Sequence, residues 1–189
     1  MPQLTFLRHL PLAQRAVALA VRVHAGQRRE ADGASFVVHP MEVASLLDRS
    51  HYPDHVVAAA VLHDVLENSG EDVADLQARF GPEVAELVAA VSDDPSIPDE
   101  EARKRDLRER VRRLGGYPAA VYAADKVSKV REIRTARAAG VPAEQLDDKL
   151  RRHRESLAML ETTIPGSRLV ELLRFEIEAL TELPPDPGT

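Results

Sequence analysis

The sequence predicts an all-α fold that forms a single domain. Hydrophobic residues recur with helical spacing through most of the chain, and neither an alternating strand pattern of useful length nor an internal repeat is evident. A chain of 189 residues is long enough to bury a substantial core in one domain. Its 44% hydrophobic and 30% charged residues are typical of a globular protein rather than a disordered one.

The first half of the chain predicts a series of helices. Pro40 and Pro53 stand where a proline opens a helix. Residues 56–66 are apolar almost all round, which predicts a central buried helix. Gly81-Pro82 separates two short predicted helices, residues 73–80 and 83–91. Apolar stripes mark two earlier helices, the first formed by Leu12, Ala16, Leu19, Ala20 and Val23, and the second by Met41, Val43, Ala44 and Leu47.

The second half predicts three longer helices. Residues 93–98 are expected to form a loop, and Gly115-Gly116 interrupts the chain before the next helix. The three helices are expected at residues 119–138, 143–161 and 167–183. We expect the domain to span residues 1–183 and residues 184–189 to form a flexible tail, because proline and glycine dominate that segment.

Composition limits the classes of function. Cysteine is absent, which excludes both a disulfide framework and a thiolate metal site. No apolar run approaches the ~18 residues of a membrane span and no secretory segment is evident, so we expect a cytoplasmic protein without a membrane partner. The net charge of −6 argues against nucleic acid as a partner. Three local basic clusters suit either a small polyphosphate or a solvated helix face: residues 27–29, 103–105 and 149–154.

The most informative motif is His63-Asp64, because it follows the apolar run 58–62. Burying an ionisable side chain is costly unless it is paired or bound to a metal. On one continuous helix, His63, Asp64, Glu67 and Asn68 would occupy neighbouring i, i+3 and i+4 positions. We therefore expect these four side chains to share one face.

Four residues are candidate metal ligands: His39, His63, Asp64 and Asp125. A mixed nitrogen and oxygen set without thiolate favours Mn²⁺, Fe²⁺ or Mg²⁺ over a structural zinc. A purely structural interpretation is also open for each residue. His39 could bond a backbone group where a loop meets a helix, and Asp125 could pair with Lys129 at i+4.

Four motifs in chain order resemble the HD hydrolase domain of RelA/SpoT proteins: His39-Pro40, Leu62-His63-Asp64, Phe80-Gly81 and Ala124-Asp125-Lys126. The segment from His24 to Arg29 is similar to that family's His-x-x-Gln-x-Arg motif. Val91-Ser92-Asp93-Asp94, followed by basic residues from Arg103 onward, is more similar still to the stand-alone small alarmone hydrolases, the metazoan SpoT homologs. The resemblance covers residues 12–160 and implies a helical bundle of the HD-domain type.

The resemblance implies a metal-dependent hydrolase of the stringent response that removes the 3′-pyrophosphate of guanosine tetra- and pentaphosphate. It implies Mn²⁺ bound by the four candidate ligands, with Glu67 positioning and activating the attacking water. Arg29 would lie against the guanine base, and Lys104 would lie near the phosphates. No nucleotide-synthesising domain follows in the sequence, so we expect hydrolysis without synthesis.

Three positions depart from the family pattern. Asn68 stands where the family has the Asp of a Glu-Asp pair, Lys129 where it usually has Asn, and Phe36 where it has Tyr. An amide neither carries charge nor accepts a proton at neutral pH, so we expect Asn68 to limit catalysis without abolishing it. Lys129 is expected to add positive charge near the leaving phosphate.

Three hypotheses follow from the sequence. The leading one is an Mn²⁺-dependent phosphohydrolase of a guanosine 3′,5′-polyphosphate or a related nucleotide. The second, motivated by Asn68, is a degenerate HD domain that binds a nucleotide or a partner protein without turnover. The third keeps the enzyme but changes its substrate to a nucleoside monophosphate, a cyclic nucleotide or a 2′-phosphorylated dinucleotide. The oligomeric state stays open in all three.

Overall fold

The computed structural model describes residues 5–182, and this part of the chain is helical. Its elements are η1 Thr5–His9, α1 Pro11–Val23, α2 Val38–Arg49, α3 Asp54–Leu62, α4 Val65–Asn68, α5 Val73–Phe80, α6 Pro82–Val91, α7 Glu100–Leu114, α8 Gly116–Ala138, α9 Ala143–Thr163 and α10 Arg168–Glu182. Within residues 5–182 the one strand-like pairing is an isolated antiparallel bridge between Arg28 and Ser35. The all-α prediction is confirmed, whereas the expected tail, residues 184–189, lies outside the described residues.

Helix α3 lies at the centre of the bundle. Every residue from Val56 to Leu62 is buried, and the helix packs against α1, α2 and α6. At its first residue, the Asp54 carboxylate accepts hydrogen bonds from the backbone N–H groups of Leu12 and Ala13, each at 2.9 Å. These are first-turn donors of α1 that have no partner within their own helix. Asp54 therefore joins the start of α1 to the start of α3.

The helix predicted for residues 56–66 is interrupted at the His-Asp motif. Helix α3 ends at Leu62, His63 and Asp64 form a turn, and α4 begins at Val65. The expectation that four polar residues share one face of a continuous helix is therefore wrong. Side chains contact carbonyl oxygens at the break: His63 Nδ1 lies 2.8 Å from the oxygen of Ala60, and the Ser92 hydroxyl, 2.9 Å from the oxygen of Val88, lies 3.2 Å from the oxygen of His63.

Helix α8 is the scaffold of the second half and packs against α2, α9 and α10. The predicted bounds of these last three helices agree with the structure to within three residues. Helix α7 is not among the predicted helices. Of its residues only Leu107 and Val111 are buried, so its apolar stripe is short. The Asp99 side chain accepts a hydrogen bond from the Ala102 N–H at 2.7 Å and so caps its start.

Within the described residues, no helix combines the length and the apolar character needed to cross a membrane.

Candidate metal centre and adjoining cavity

The four candidate metal ligands lie together in the interior, although they come from three separate parts of the chain. His39, His63 and Asp125 are buried, and one donor atom from each lies within 4.8 Å of the others. Asp64 Oδ2 lies 3.3 Å from His63 Nε2 and 3.6 Å from His39 Nε2. Two imidazoles and two carboxylates thus face a common point.

Hydrogen bonds determine which ring nitrogens face that point. The carbonyl of Ala60 only accepts, so the His63 nitrogen beside it, Nδ1, carries the proton. Ser128 donates its hydroxyl proton to Glu42 and therefore accepts from His39 Nδ1–H, with Oγ and Nδ1 2.9 Å apart. Both Nε2 atoms are left with lone pairs, and they lie 3.2 Å apart. Two lone pairs at this distance repel each other unless a cation lies between them.

Asp125 completes the donor set. Its Oδ1 is buried without a hydrogen-bond partner and lies 3.2 Å from His39 Nε2. A buried carboxylate oxygen that accepts no hydrogen bond, paired with the Lys129 ammonium at 3.0 Å and lying beside two imidazole nitrogens, provides the nitrogen and oxygen donors of a divalent-metal site. The residues present therefore fit the divalent metal ion that the resemblance implies.

Neighbouring basic side chains keep the carboxylates of the cluster ionised. The ammonium groups of Lys126 and Lys129 lie 2.7 Å from Asp125 Oδ2 and 3.0 Å from Asp125 Oδ1, respectively. Burial alone would raise the pKa of Asp125, but the two lysines outweigh it and hold that pKa well below its usual value. Burial likewise opposes ionisation of Asp64, and His63 and Lys129 bring its pKa below the ordinary value. The expected Asp125–Lys129 pair therefore exists alongside the metal-like cluster, not instead of it.

Glu67 and Asn68 of α4 are exposed and follow the interruption between α3 and α4. Glu67 Oε1 accepts the backbone N–H of Asp93 at 2.8 Å. The Asn68 amide donates to the backbone oxygen of Asp64 at 2.9 Å. Desolvation, followed by the negative charge of Asp64, raises the pKa of Glu67. Among the described contacts, none joins either side chain directly to the two imidazoles.

A cavity of about 480 Å³ opens between α7, α8 and α9 next to this cluster. Lys126 and Lys129 contact Asp125 and also line the cavity, so the two features are continuous. Its lining includes five apolar side chains: Ala31, Ile133, Ala136, Val141 and Leu146. It also includes six basic side chains, Lys104, Arg108, Lys126, Lys129, Lys149 and Arg152, with two acids, Glu30 and Glu132. Two of the three basic clusters in the sequence, residues 103–105 and 149–154, therefore converge on one site.

Most of these cations are held in place by acidic partners. Lys104 Nζ lies 2.5 Å from Asp93 Oδ2, and Arg108 pairs with Glu155 at 2.8 Å. Sequence reasoning singled out Lys104, Lys129 and the basic cluster 149–154, which contains Lys149 and Arg152, but it missed Arg108. The signal was available, because Arg108 follows Lys104 at i+4.

His153 is a further cavity residue that the sequence reasoning did not single out. It lines the cavity, and its buried Nδ1 has no hydrogen-bond partner within the described residues. Burial, followed by the positive charge of Lys126, lowers the pKa of His153 to about 3. The ring is therefore a neutral hydrogen-bonding group among cations.

Arg29 lies at the rim of the cavity and is already engaged by two acids. Its guanidinium forms a double hydrogen bond to the Asp32 carboxylate and lies 3.6 Å from Glu132, which lines the cavity. Only 13% of its side chain is exposed, which excludes a freely solvated surface position.

The comparisons with known proteins identify the family of this chain. A family model described as HD domain matches residues 16–152. Guanosine-3′,5′-bis(diphosphate) 3′-pyrophosphohydrolase MESH1 of Danio rerio is 31% identical over 137 residues, which cover 70% of this chain and 74% of the relative. The protein of the same name from Homo sapiens is 32% identical over 121 residues, which cover 62% and 67% of the two chains.

Solved structures share the fold. One, described as a metazoan ortholog of SpoT that hydrolyzes ppGpp and plays a role in starvation responses, matches with a TM-score of 0.79 and 26% identity. The match covers 92% of this chain and 97% of that chain. A crystal structure of a Listeria monocytogenes protein matches with a TM-score of 0.66 and 25% identity over 75% of this chain and 92% of that one.

Proposed function

The chain belongs to the HD-domain family, as its motifs predict, and from this membership we propose that it is a metal-dependent guanosine 3′,5′-bis(diphosphate) 3′-pyrophosphohydrolase. The observation that carries the proposal is the buried His39–His63–Asp125 cluster beside a cation-lined cavity. The names of the two MESH1 relatives support the choice of substrate. The matches cover 74% and 67% of the two relatives, and both of their names state the same activity.

We assign the metal to His39, His63, Asp64 and Asp125, and we propose Mn²⁺ as the ion. Fe²⁺ and Mg²⁺ are the alternatives that the same donor chemistry admits. When bound, the ion supplies Lewis-acid polarisation of a phosphate oxygen and lowers the pKa of water. The protonated Nδ1 atoms of both imidazoles, held by Ala60 and Ser128, keep their Nε2 lone pairs directed at the ion.

Glu67 is the proposed proton acceptor. The backbone N–H of Asp93 holds its carboxylate in a fixed orientation at 2.8 Å. Its raised pKa makes the carboxylate a stronger base than an ordinary glutamate, which suits the removal of a proton from water. Asn68 stabilises the turn between α3 and α4, because its amide donates a hydrogen bond to the backbone carbonyl of Asp64.

The cavity matches the two halves of the proposed substrate. Lys104, Lys129 and the other basic residues that line the cavity neutralise the phosphates, and the apolar residues of the lining accept the guanine base. Arg29 at the rim stacks on that base when it exchanges part of its contact with Asp32 and Glu132.

A domain that binds the nucleotide without turnover is the second candidate. The amide of Asn68 favours it, because this group occupies the position of a family carboxylate and cannot accept a proton.

Purified protein incubated with guanosine tetraphosphate separates these functions. We expect pyrophosphate release with Mn²⁺ and none after chelation. His63→Ala should lose both the bound metal and the turnover, and its melting temperature should fall because metal no longer stabilises the fold. The control is His9→Ala at an exposed position. Metal-loaded protein that binds the nucleotide but releases no pyrophosphate would establish the binding-only function. Parallel assays with nucleoside monophosphates, cyclic nucleotides and a 2′-phosphorylated dinucleotide test the substrate.

A further inference from the structure

A continuous chain of polar contacts connects His39 to the C-terminal helix. His39 Nδ1–H donates to Ser128 Oγ at 2.9 Å, and Ser128 donates to Glu42 Oε2 at 2.8 Å. Arg131 donates from Nη1 to Glu42 Oε1 at 2.7 Å and from Nε to Glu176 Oε1 at 2.6 Å. The contacts run from α2 through α8 to α10.

Helical spacing aligns the members of this chain. Glu42 follows His39 at i+3 on α2, and Ser128 and Arg131 follow Asp125 at i+3 and i+6 on α8. One stripe of α8 therefore carries the candidate ligand Asp125 together with Ser128 and Arg131. Ser128 contacts the candidate ligand His39 directly, and Arg131 is connected to it through Glu42 and Ser128. The spacing explains how α2 and α8 supply four of the five members, and Glu176 of α10 supplies the fifth.

The acids of the chain have every carboxylate oxygen engaged. Both oxygens of Glu42 accept a hydrogen bond, from Ser128 and from Arg131. Glu176 is buried, and its second oxygen accepts from Arg134. Of these charged groups only Glu176 is buried, while Glu42 and Arg131 are partly exposed, and ion pairs that solvent reaches contribute little to stability. Their position behind a metal-facing imidazole indicates a different role.

The direction of the hydrogen bonds determines the state of His39. Because the Glu42 carboxylate can only accept, the Ser128 hydroxyl proton points to Glu42, and the Ser128 lone pair must receive Nδ1–H. The other nearby acceptor, Glu132 Oε1, lies 3.6 Å from Nδ1, which is too far for a hydrogen bond. Without Glu42, the serine hydroxyl could rotate and donate to Nδ1, which would place the ring proton on Nε2 and block the metal.

We propose that Ser128, Glu42, Arg131 and Glu176 are positioning residues that hold His39 in the metal-binding tautomer and orientation. The inference rests on the metal-dependent function proposed above. It extends the metal site to α10, which lies outside the residues 16–152 matched by the family model.

Mn²⁺ affinity of the metal-free protein, measured by electron paramagnetic resonance titration, tests the proposal. We expect Ser128→Ala to weaken binding by about 10- to 100-fold, as is common when a partner of a metal-binding histidine is lost. Ser128→Thr keeps the hydroxyl and should bind within a few-fold of the parent. In Co²⁺-loaded protein, Ser128→Ala should also shift the visible absorption bands, which a merely structural change far from the ion would leave in place.

The role of α10 is tested separately with Glu176→Gln, which we expect to weaken Mn²⁺ binding by about tenfold. Arg174→Gln is its matched control, because it breaks a pair between α10 and Glu161 of α9 without touching the chain. If Glu176→Gln does not fold, Arg131→Lys serves instead, since lysine cannot bridge two carboxylates as a guanidinium does.

Each outcome decides a different point. A parent protein that binds no Mn²⁺ overturns the proposed function, and the positioning role with it. A parent that binds Mn²⁺ while Ser128→Ala binds it equally well overturns the positioning role alone. Weakening in Ser128→Ala but not in Glu176→Gln or Arg131→Lys overturns the extension to α10.

Discussion

Asn68 is the residue at which this chain departs most consequentially from the family pattern, and its amide has a defined task. It donates a hydrogen bond to the carbonyl of Asp64 at 2.9 Å, across the break between α3 and α4. A carboxylate at the same position would lose this donor but gain the ability to share a proton with Glu67 next to it. Stability and turnover therefore depend on this side chain in opposite directions.

Asn68→Asp is expected to raise kcat on guanosine tetraphosphate by about tenfold, the low end of general acid–base effects. Its unfolding free energy should fall by about 1 kcal/mol because the bond to Asp64 is lost. Steady-state kinetics and thermal melts measure the two effects. Asn68→Ala is the control, since it loses the same bond without gaining a carboxylate. A kcat of Asn68→Asp no higher than that of Asn68→Ala would leave Asn68 with a structural role only.

Arg29→Ala is expected to raise KM for guanosine tetraphosphate about tenfold, corresponding to the loss of one charge-assisted contact. Metal content should stay at the parent value, because no described contact joins Arg29 to the four candidate ligands. Arg28→Ala is the neighbouring control, with an exposed side chain. Equal KM values for the two variants would restrict Arg29 to its ion pairs with Asp32 and Glu132.

At the scale of elements, two junctions shape the site. The break between α3 and α4 exposes the carbonyls of His63 and Asp64 to side-chain donors and turns both residues toward α8. The packing of α9 on α8 closes the other side, where Tyr122 and Ser156 share a hydrogen bond at 3.0 Å. His153 lies in this second junction, where charged side chains of both helices, such as Lys126 of α8 and Arg152 of α9, affect its pKa.

The stability of the metal-free protein should depend on the protonation of His153. Burial and Lys126 lower its pKa to about 3, with Lys129 and Arg152 acting in the same direction and Asp125 against them. Because the unfolded chain takes up this proton near pH 6.5 and the folded chain does not, stability is lost as pH falls below 6.5. Between pH 7 and pH 5 the loss from this one group amounts to about 2 kcal/mol.

Urea unfolding at the two pH values measures this effect. His153→Gln should lose about 2 kcal/mol less than the parent between pH 7 and pH 5. Arg154→Gln, at the exposed residue that follows His153, is the control and should keep the parent's dependence. Identical pH dependence in the parent and in His153→Gln would contradict a neutral buried ring.

At the scale of the whole molecule, charge is distributed unevenly. The chain carries a net charge of −6, yet six lysines and arginines face one cavity. Many of their partners, such as Asp93, Glu100 and Glu155, lie outside the cavity lining. The acids thus hold the cations in place while the cavity itself stays positive, which suits an anionic substrate with several phosphates.

Lys104→Ala is expected to raise KM for guanosine tetraphosphate about tenfold and to reduce the dependence of KM on salt concentration. Arg105→Ala is the control, because its side chain is exposed on the next residue of α7. Kinetics at low and high salt give both quantities. If Lys104→Ala and Arg105→Ala behave alike, the cation cluster of α7 is a solvated face and not part of the substrate site.

The sequence alone determined the helical class, most helix bounds and which candidate ligands would cluster. Periodic apolar residues and Gly-Pro punctuation are local signals, and they place α5 at its observed bounds. The motifs that contain His39, His63-Asp64 and Asp125 are likewise recognisable in the linear sequence. Helix α7 was not predicted, because its two buried residues, Leu107 and Val111, give too short an apolar stripe to reveal helical periodicity.

Only the tertiary structure decided how these parts meet. The bond between His39 and Ser128 joins residues 89 positions apart, and the one between Arg131 and Glu176 joins residues 45 apart. Such contacts result from the packing of apolar helix faces, which no local pattern encodes. The same packing broke the predicted central helix at His63, where side-chain donors displaced the backbone ladder. It also turned two separate basic clusters toward one cavity, because α7 and α9 both pack against α8.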